Sequence, residues 1–328
     1  MMISTKVMDR ILFSVVVFFF LSPLTVFAAN KVVVIPLFGD CTVSVCNPLK
    51  NIVTVGKSNG QFTDPVAAVA SITDASAINP YLVVIGPGVY TITQTLVMKQ
   101  YVSIAGSGEE TTKITGAIST PFFTSSVIVR GASNAALSSL TVENTGGNDY
   151  SIALHNSDAS PRVSNVSTLA NGGKYNIGVY NASSFPVMTD VTTTVAGGTG
   201  SVNHAVENTS SSPKMIRVSA TASGPGTNYG ISNFVSGSTV PSFPTMTDVT
   251  ALATGGESYG VYNEGSSSAL IRRSTLSGDT RGLYTVNGTA TVSQSTIKYG
   301  AQVGGGTGTH SCVACDNGSG VLLSASCQ

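Results

Sequence analysis

Two sets of residues in this chain could do chemistry. The first is Asn165, Asp190, Arg217, Asp248 and Arg273, each at a constant phase, one residue ahead of Val166, Val191, Val218, Val249 or the corresponding Ser274. If each interval is one turn of a coil, Asp190 and Asp248 stand two turns apart, about 10 Å at ordinary strand spacing. An inverting glycosidase separates its two carboxyls by roughly 6.5 to 9.5 Å, so Asp190, Glu207, Arg217 and Asp248 are the candidate catalytic residues. The intervening arginines argue the other way. Arg217 next to both aspartates holds them ionised and leaves no general acid. The preferred reading is a structural ladder of ion pairs, each exposed pair contributing about 0 to 1 kcal/mol.

The second set is the column His155, Tyr180, Glu207, Ser232, Tyr262 and Tyr284, expected to face outward, beside a column of small residues, Ala153, Gly178, Ala205, Gly230, Gly260 and Gly282. Exposed tyrosines beside a flat track of small side chains suit the stacking of sugar rings or of a partner chain. His155, Tyr180, Glu207, Tyr262 and Tyr284 are therefore the candidate ligand-binding residues. The three histidines, His155, His204 and His310, are too scattered for a triad. Cys312 and Cys315 with His310 give too few ligands for zinc, so no metal and no cofactor is expected. In an exported chain the five cysteines are read as bridging. Cys41 and Cys46 would close a small loop, Cys327 would pair with Cys312 or Cys315, and one thiol is left over.

These phases come from a repeat. The pattern small, aliphatic, any residue, Asn recurs with its asparagines at Asn156, Asn181, Asn208, Asn233 and Asn263, spaced 25, 27, 25 and 30 residues apart. Pro161, Pro186 and Pro213 follow five residues later, and valines five residues after that. Within each copy, short runs of Val, Ile, Thr and Tyr alternate with period two and break at Gly, Asn, Ser and Pro, the pattern of strands and turns. A unit of about 25 residues cannot bury its own apolar face and must stack on its neighbours. The fold expected is an all-β, single-stranded, right-handed parallel β-helix. Leu154, Val179, Val206, Ile231, Val261 and Leu283 form one inward ladder, and the valines a second. The asparagines are placed at a corner, as stacked amides in or near left-handed geometry.

Around the repeat, Lys6, Arg10, the apolar run 11–21, Pro23 and Ala28-Ala29 have the layout of a secretory signal, cleaved after Ala28. The domains expected are residues 1–28, the signal; 29–60, an N-terminal strand with the Cys41/Cys46 loop; 61–300, the β-helix; and 301–328, a cysteine-containing cap. Asp64-Pro65 followed by an apolar stripe gives a short capping helix near 65–72. The charge balance, Lys+Arg 16 against Asp+Glu 16, with 10% charged residues, offers no footprint for nucleic acid. No membrane span is expected after signal cleavage.

Gln61-Phe62-Thr63, the turn Pro87-Gly88-Val89-Tyr90, Gly106-Ser107-Gly108 and the Thr-x-Ile-x-Gly run at 112–116 resemble the first coils of pectinesterase-like members of the pectin-lyase-like superfamily. The resemblance covers roughly residues 55–120 by motif and implies the fold. It carries over no catalytic residue. Gln-Asp-Thr and Asp-Phe-x-x-Gly runs are missing, the chain has no Trp, and the paired Asp-Asp and Gly-His-Gly patterns of polygalacturonases are missing too.

The function expected is a secreted or cell-surface, non-catalytic recognition protein whose partner is a polysaccharide or cell-envelope glycan. The alternatives are a polysaccharide lyase, esterase or hydrolase using Asp190, Glu207, Arg217 and Asp248, and a homo-oligomeric fibre or spike component.

Overall fold

A computed structural model describes residues 51–198, 200–235, 240–304 and 307–328. The signal sequence and the Cys41/Cys46 loop lie outside the described residues. The chain is a right-handed parallel β-solenoid of about 9 turns with one short helix. Every ladder between its strands is parallel, and each coil contributes strands to three faces.

Face one carries a ladder that the sequence pattern did not reveal. Val83, Ile104, Leu137, Val163, Met188, Met215, Met246, Ile271, Val292 and Cys312 are stacked in register. Its members differ in type, so composition hid it, while their common inward phase makes it continuous. Face two holds the valine ladder, with Val166 paired to Val191 and Val191 to Val218. On face three Leu154, Val179, Val206, Ile231, Val261 and Leu283 are register partners, all fully buried. Each such side chain contributes about 1.5 to 3 kcal/mol.

The asparagines depart from expectation in conformation. Asn156, Asn181, Asn208, Asn233 and Asn263 lie inside face-three strands with ordinary backbone and no exposure. The amide Nδ2 of each of the first four donates to the Oδ1 of the next coil's asparagine, at 2.8, 2.8, 2.8 and 2.6 Å, and that of Asn263 to the Thr285 hydroxyl at 3.3 Å. The left-handed residues come just afterwards, at Asp158, Ser183, Ser210 and Ser266. A second amide ladder, Asn176 to Asn203 to Asn228, runs at the other end of the same face at 2.8 Å per step.

The three corners have different chemistry. Between faces one and two a single left-handed residue turns the chain in seven successive coils, at Ser139, Asn165, Asp190, Arg217, Asp248, Arg273 and Gln294. Between faces three and one, Ser211 Oγ accepts from the Ser184 N–H and Ser242 Oγ from the Ser211 N–H, both at 3.0 Å. Between faces two and three the corners are glycine pairs such as Gly146-Gly147 and Gly172-Gly173.

Helix Pro65–Ser71 begins as the sequence predicts, with Asp64 accepting from the Val66 N–H at 2.9 Å and Pro at the first position. Its Ala68 and Val69 pack into the core beside Val55 and Val83. At the other end Cys312 is bridged to Cys327, which settles the open pairing, and among the described residues Cys315 is a buried free thiol. Among the described residues no helix is long and apolar enough to cross a membrane.

Candidate functional site

The charged column sits on the left-handed corner, exposed. Arg217 Nε and Nη2 donate to the two oxygens of Asp190 at 2.6 and 2.7 Å. Arg273 makes the same fork to Asp248 at 2.8 and 2.9 Å. Both aspartates are held below the usual carboxylate range, first by these hydrogen bonds. Asp and Asn adopt left-handed geometry readily, while for Arg it costs about 1 to 2 kcal/mol. The two forks counter that cost at the two coils where an arginine turns the corner. Glu207 lies on face three, so the four candidate catalytic residues do not share one face.

Face three carries the aromatic column, in register from Arg130 through His155, Tyr180, Glu207, Ser232, Tyr262 and Tyr284 to Gln302. Two expectations about it are corrected. The small column does not flank the tyrosines on the surface; it points into the coil. A Cβ on Gly178 would meet Thr193 Oγ1 and the Ala205 carbonyl at 2.7 Å, and one on Gly260 would meet the Gly282 carbonyl at 2.6 Å. These residues are small because face three bends there onto the backbone and side chains of face two. Nor is the column uniformly open: His155 is 2% exposed and Ser232 fully buried, because neighbouring rings cover them.

Phe123 and Tyr180 pack on His155, and beside Ser232 stands a second aromatic column that sequence reasoning missed, at the position just before each small residue. His204, Tyr229 and Tyr259 fill it in successive coils, and their rings are stacked at 4.7 and 5.7 Å. The signal was the recurring aromatic-Gly or His-Ala pair at Tyr229-Gly230, Tyr259-Gly260 and His204-Ala205. With Phe234, Tyr262 and Tyr284 they make one continuous external cluster. Tyr229, Tyr262 and Tyr284 are half-buried and the Tyr259 hydroxyl donates to Glu257 Oε1 at 2.6 Å, so apolar rings and polar groups share one ridge.

Beside this cluster His204 Nδ1 is 2.8 Å from Ser232 Oγ, and its Nε2 is 3.9 Å from Glu207 Oε2. Glu207 Oε1 accepts from the Thr209 hydroxyl at 3.3 Å. Burial pushes the Glu207 carboxyl up to about 7 and holds His204 neutral down to about 3. The Ser232 hydroxyl has no exposure, so the trio is enclosed within the ridge.

A second cluster lies toward the N-terminal coils. Residues 117–126 replace the glycine corner with a flap containing the short helix Phe123–Ser125, and the Phe123 ring packs edge-on against Tyr150, Tyr180 and His155 at 5.2, 4.7 and 6.2 Å. Beneath it Val127, Ile152 and Ile177 form a small apolar cluster outside the main core. Tyr150 stacks on Tyr175 at 5.2 Å, and Tyr175 is 42% exposed. Next to Tyr175 a groove of about 710 Å³ follows the glycine corners, lined by Pro121, Asn148, Asp149, Gly172 and Lys174 among others. Its volume falls in the ligand-binding range of roughly 300 to 1,000 Å³. Lys174 and Asp149 pair across it at 3.1 Å.

No protein-family model matches the chain, and no curated protein matches it. Solved structures do. Pectin methylesterase PemA from Erwinia chrysanthemi aligns with a TM-score of 0.51 at 10% identity, over 86% of this chain and 93% of that one. The pectin methylesterase of Aspergillus niger in deglycosylated form gives a TM-score of 0.51 at 15% identity over the same shares. At such identity the likeness is one of fold, a right-handed parallel β-helix.

Proposed function

We propose that this chain is an exported, non-catalytic β-helix that binds polysaccharide along face three. The observation that carries the reading is the aromatic ridge with a ligand-sized groove alongside it, Tyr175 standing at the junction. Aromatic residues with polar tips are enriched where a protein meets a partner, because each removes a large apolar area from water and keeps one hydrogen-bonding group. His155, Tyr180, Glu207, Tyr262 and Tyr284 belong to this surface, together with Tyr150, Tyr175 and Tyr229. The structurally similar proteins include pectin methylesterases, which supports a polysaccharide as the partner. The forked ion pairs leave Asp190 and Asp248 without a proton to give, which supports binding without turnover.

The test is a glycan array run with the secreted protein, alongside ester-release, reducing-end and unsaturated-product assays on the polysaccharides it retains. Retention lost in Tyr180→Ala with Tyr262→Ala, and no product, is the expected outcome. Turnover abolished by Asp190→Ala would replace the reading with an enzymatic one. Retention of no glycan with concentration-dependent self-association would replace it with an oligomeric one.

A further inference from the structure

Buried polar atoms that lack a hydrogen-bond partner are rare, and each calls for a reason. Among the described residues three such atoms fall together: Arg130 Nε and both ring nitrogens of His155. The two residues are register partners on adjacent coils, about 4.8 Å apart at strand spacing. Each unmet group costs about 1 to 3 kcal/mol. They lie under the flap, where Phe123 packs on His155 and Arg130 Nη2 donates to the Thr124 carbonyl. Tyr180 completes the same column.

We propose that Arg130, His155 and Tyr180 form a subsite for an oxyanion carried on a sugar ring, a carboxylate or a sulfate, with the ring taking the place of Phe123. The inference rests on the polysaccharide reading for the sugar and on the orphaned donors for the anion. Guanidinium and imidazole N–H groups on register-paired positions offer an anion charge-assisted hydrogen bonds that a neutral hydroxyl cannot match. Aromatic edges at Tyr150 and Tyr180, now in contact with Phe123, would meet the sugar ring. The flap is pinned at its flanks, where Ser119 Oγ donates to the Tyr150 carbonyl at 2.8 Å and the Ile152 N–H donates to the Ser126 carbonyl at 3.0 Å. Between those pins the Phe123 ring and the Thr124 carbonyl hold it to the face, and Phe122 at its tip is 70% exposed.

The charged and titratable groups around His155 are Arg130 and Tyr180 in its own column, Glu207 one coil beyond, Tyr150 across the Phe123 ring, and Asp158 on the following turn; the flap tip 120–126 carries none. Burial, then the Arg130 charge, holds the empty site's imidazole down at about 4, with Asp158 opposing. An arriving anion favours the imidazolium, so binding takes up a proton and tightens as pH falls from 7 toward 5.

The probes are glucuronate, glucose 6-sulfate and glucose, titrated into the full secreted chain while the ring signals of its three histidines are followed by NMR. Phe123→Ala is expected to bind both charged probes about tenfold more tightly than wild type, since the plug no longer has to be displaced, and to raise the His155 pKa on binding. Glucose should gain nothing, and Arg130→Met should abolish the gain. Equal affinity in wild type and Phe123→Ala, or an equal gain for glucose, would overturn the proposal. If Arg130→Met does not fold, His155→Gln in the Phe123→Ala background must lose the gain in its place. Retention of neutral polysaccharide through Tyr262 and Tyr284 is measured in the same variants. Its survival when the charged probes fail removes the subsite alone, and its loss in the parent protein removes the broader reading.

Discussion

Glu207 shows how one position on an external strand acquires an unusual acid. Its side chain is 15% exposed, wedged between Tyr180 and Ser232 on neighbouring coils. The carboxyl titrates at about 7 in the folded chain, against 4.5 ordinarily. Between those values the native state keeps a proton that the unfolded chain has lost, so unfolding free energy falls as pH rises, and the penalty is fully present above 7. Glu207→Gln should therefore gain on wild type from pH 4 to pH 8, by up to about 3 kcal/mol. Urea unfolding at both pH values measures it, and a pH-independent difference would contradict the burial argument. His204, held down at about 3, acts oppositely: its contribution is whole above 6.5 and is lost as pH falls. The two groups stand 3.9 Å apart, so a double-mutant cycle with His204→Gln separates their contributions. At the corner, Asp190→Asn should cost under about 1 kcal/mol in the same measurement, because the fork to Arg217 is exposed to water.

At the scale of strands and corners, packing decides which residues tolerate change. Asn208→Ala removes the acceptor for Asn181 and the donor to Asn233 inside a fully buried ladder. Its expected cost is about 2 to 4 kcal/mol. Gly178→Ala should also be severe, since its methyl would meet Thr193 Oγ1 and the Ala205 carbonyl, whereas the methyl of Gly147→Ala comes no closer than 4.0 Å to the Gly172 carbonyl. Thermal denaturation of the three variants should rank Gly147→Ala near wild type and the other two well below; equal midpoints would contradict the inward placement of the small column. The same contrast shows what the sequence made legible. Repetition of one residue type at one phase revealed the Leu154 and Val166 ladders and the asparagine file. It did not reveal the Val83 to Cys312 ladder, where Val, Leu, Met, Ile and Cys share a phase without sharing chemistry. Nor did alternation alone tell inward from outward at Gly178, because a local irregularity there puts Gly178 and Val179 both inside. The registry passes from Ile177–His204 to Val179–Val206 across that point. The candidate site was half legible: Tyr180, Tyr262 and Tyr284 came from the repeat, Tyr150 and Tyr175 recur only once at one phase, and Phe123 depends on a flap with no periodic signature.

For the whole molecule, stability is a chain of neighbour contacts, so the ends matter most. Helix Pro65–Ser71 covers one end, and the Cys312–Cys327 bridge, 15 residues apart, ties the last coil to the tail at the other. A loop of that size contributes about 3 kcal/mol. In Cys327→Ser, hydrogen exchange should quicken in Thr309–Val313 and then in its partner Thr289–Ser293, leaving Tyr150–Ser157 protected. Uniform loss of protection would mean that the coils unfold as one unit. Two closed ends and a long middle leave face three as the side on which aromatic rings gather, with its groove and its covered Arg130 and His155. The most direct measurement is affinity electrophoresis of wild type and of Tyr175→Ala with Tyr180→Ala through gels containing the retained polysaccharide. Wild type should be slowed in proportion to polysaccharide concentration and the double variant should run as in a plain gel; equal retardation of the two folded proteins would contradict binding at this face.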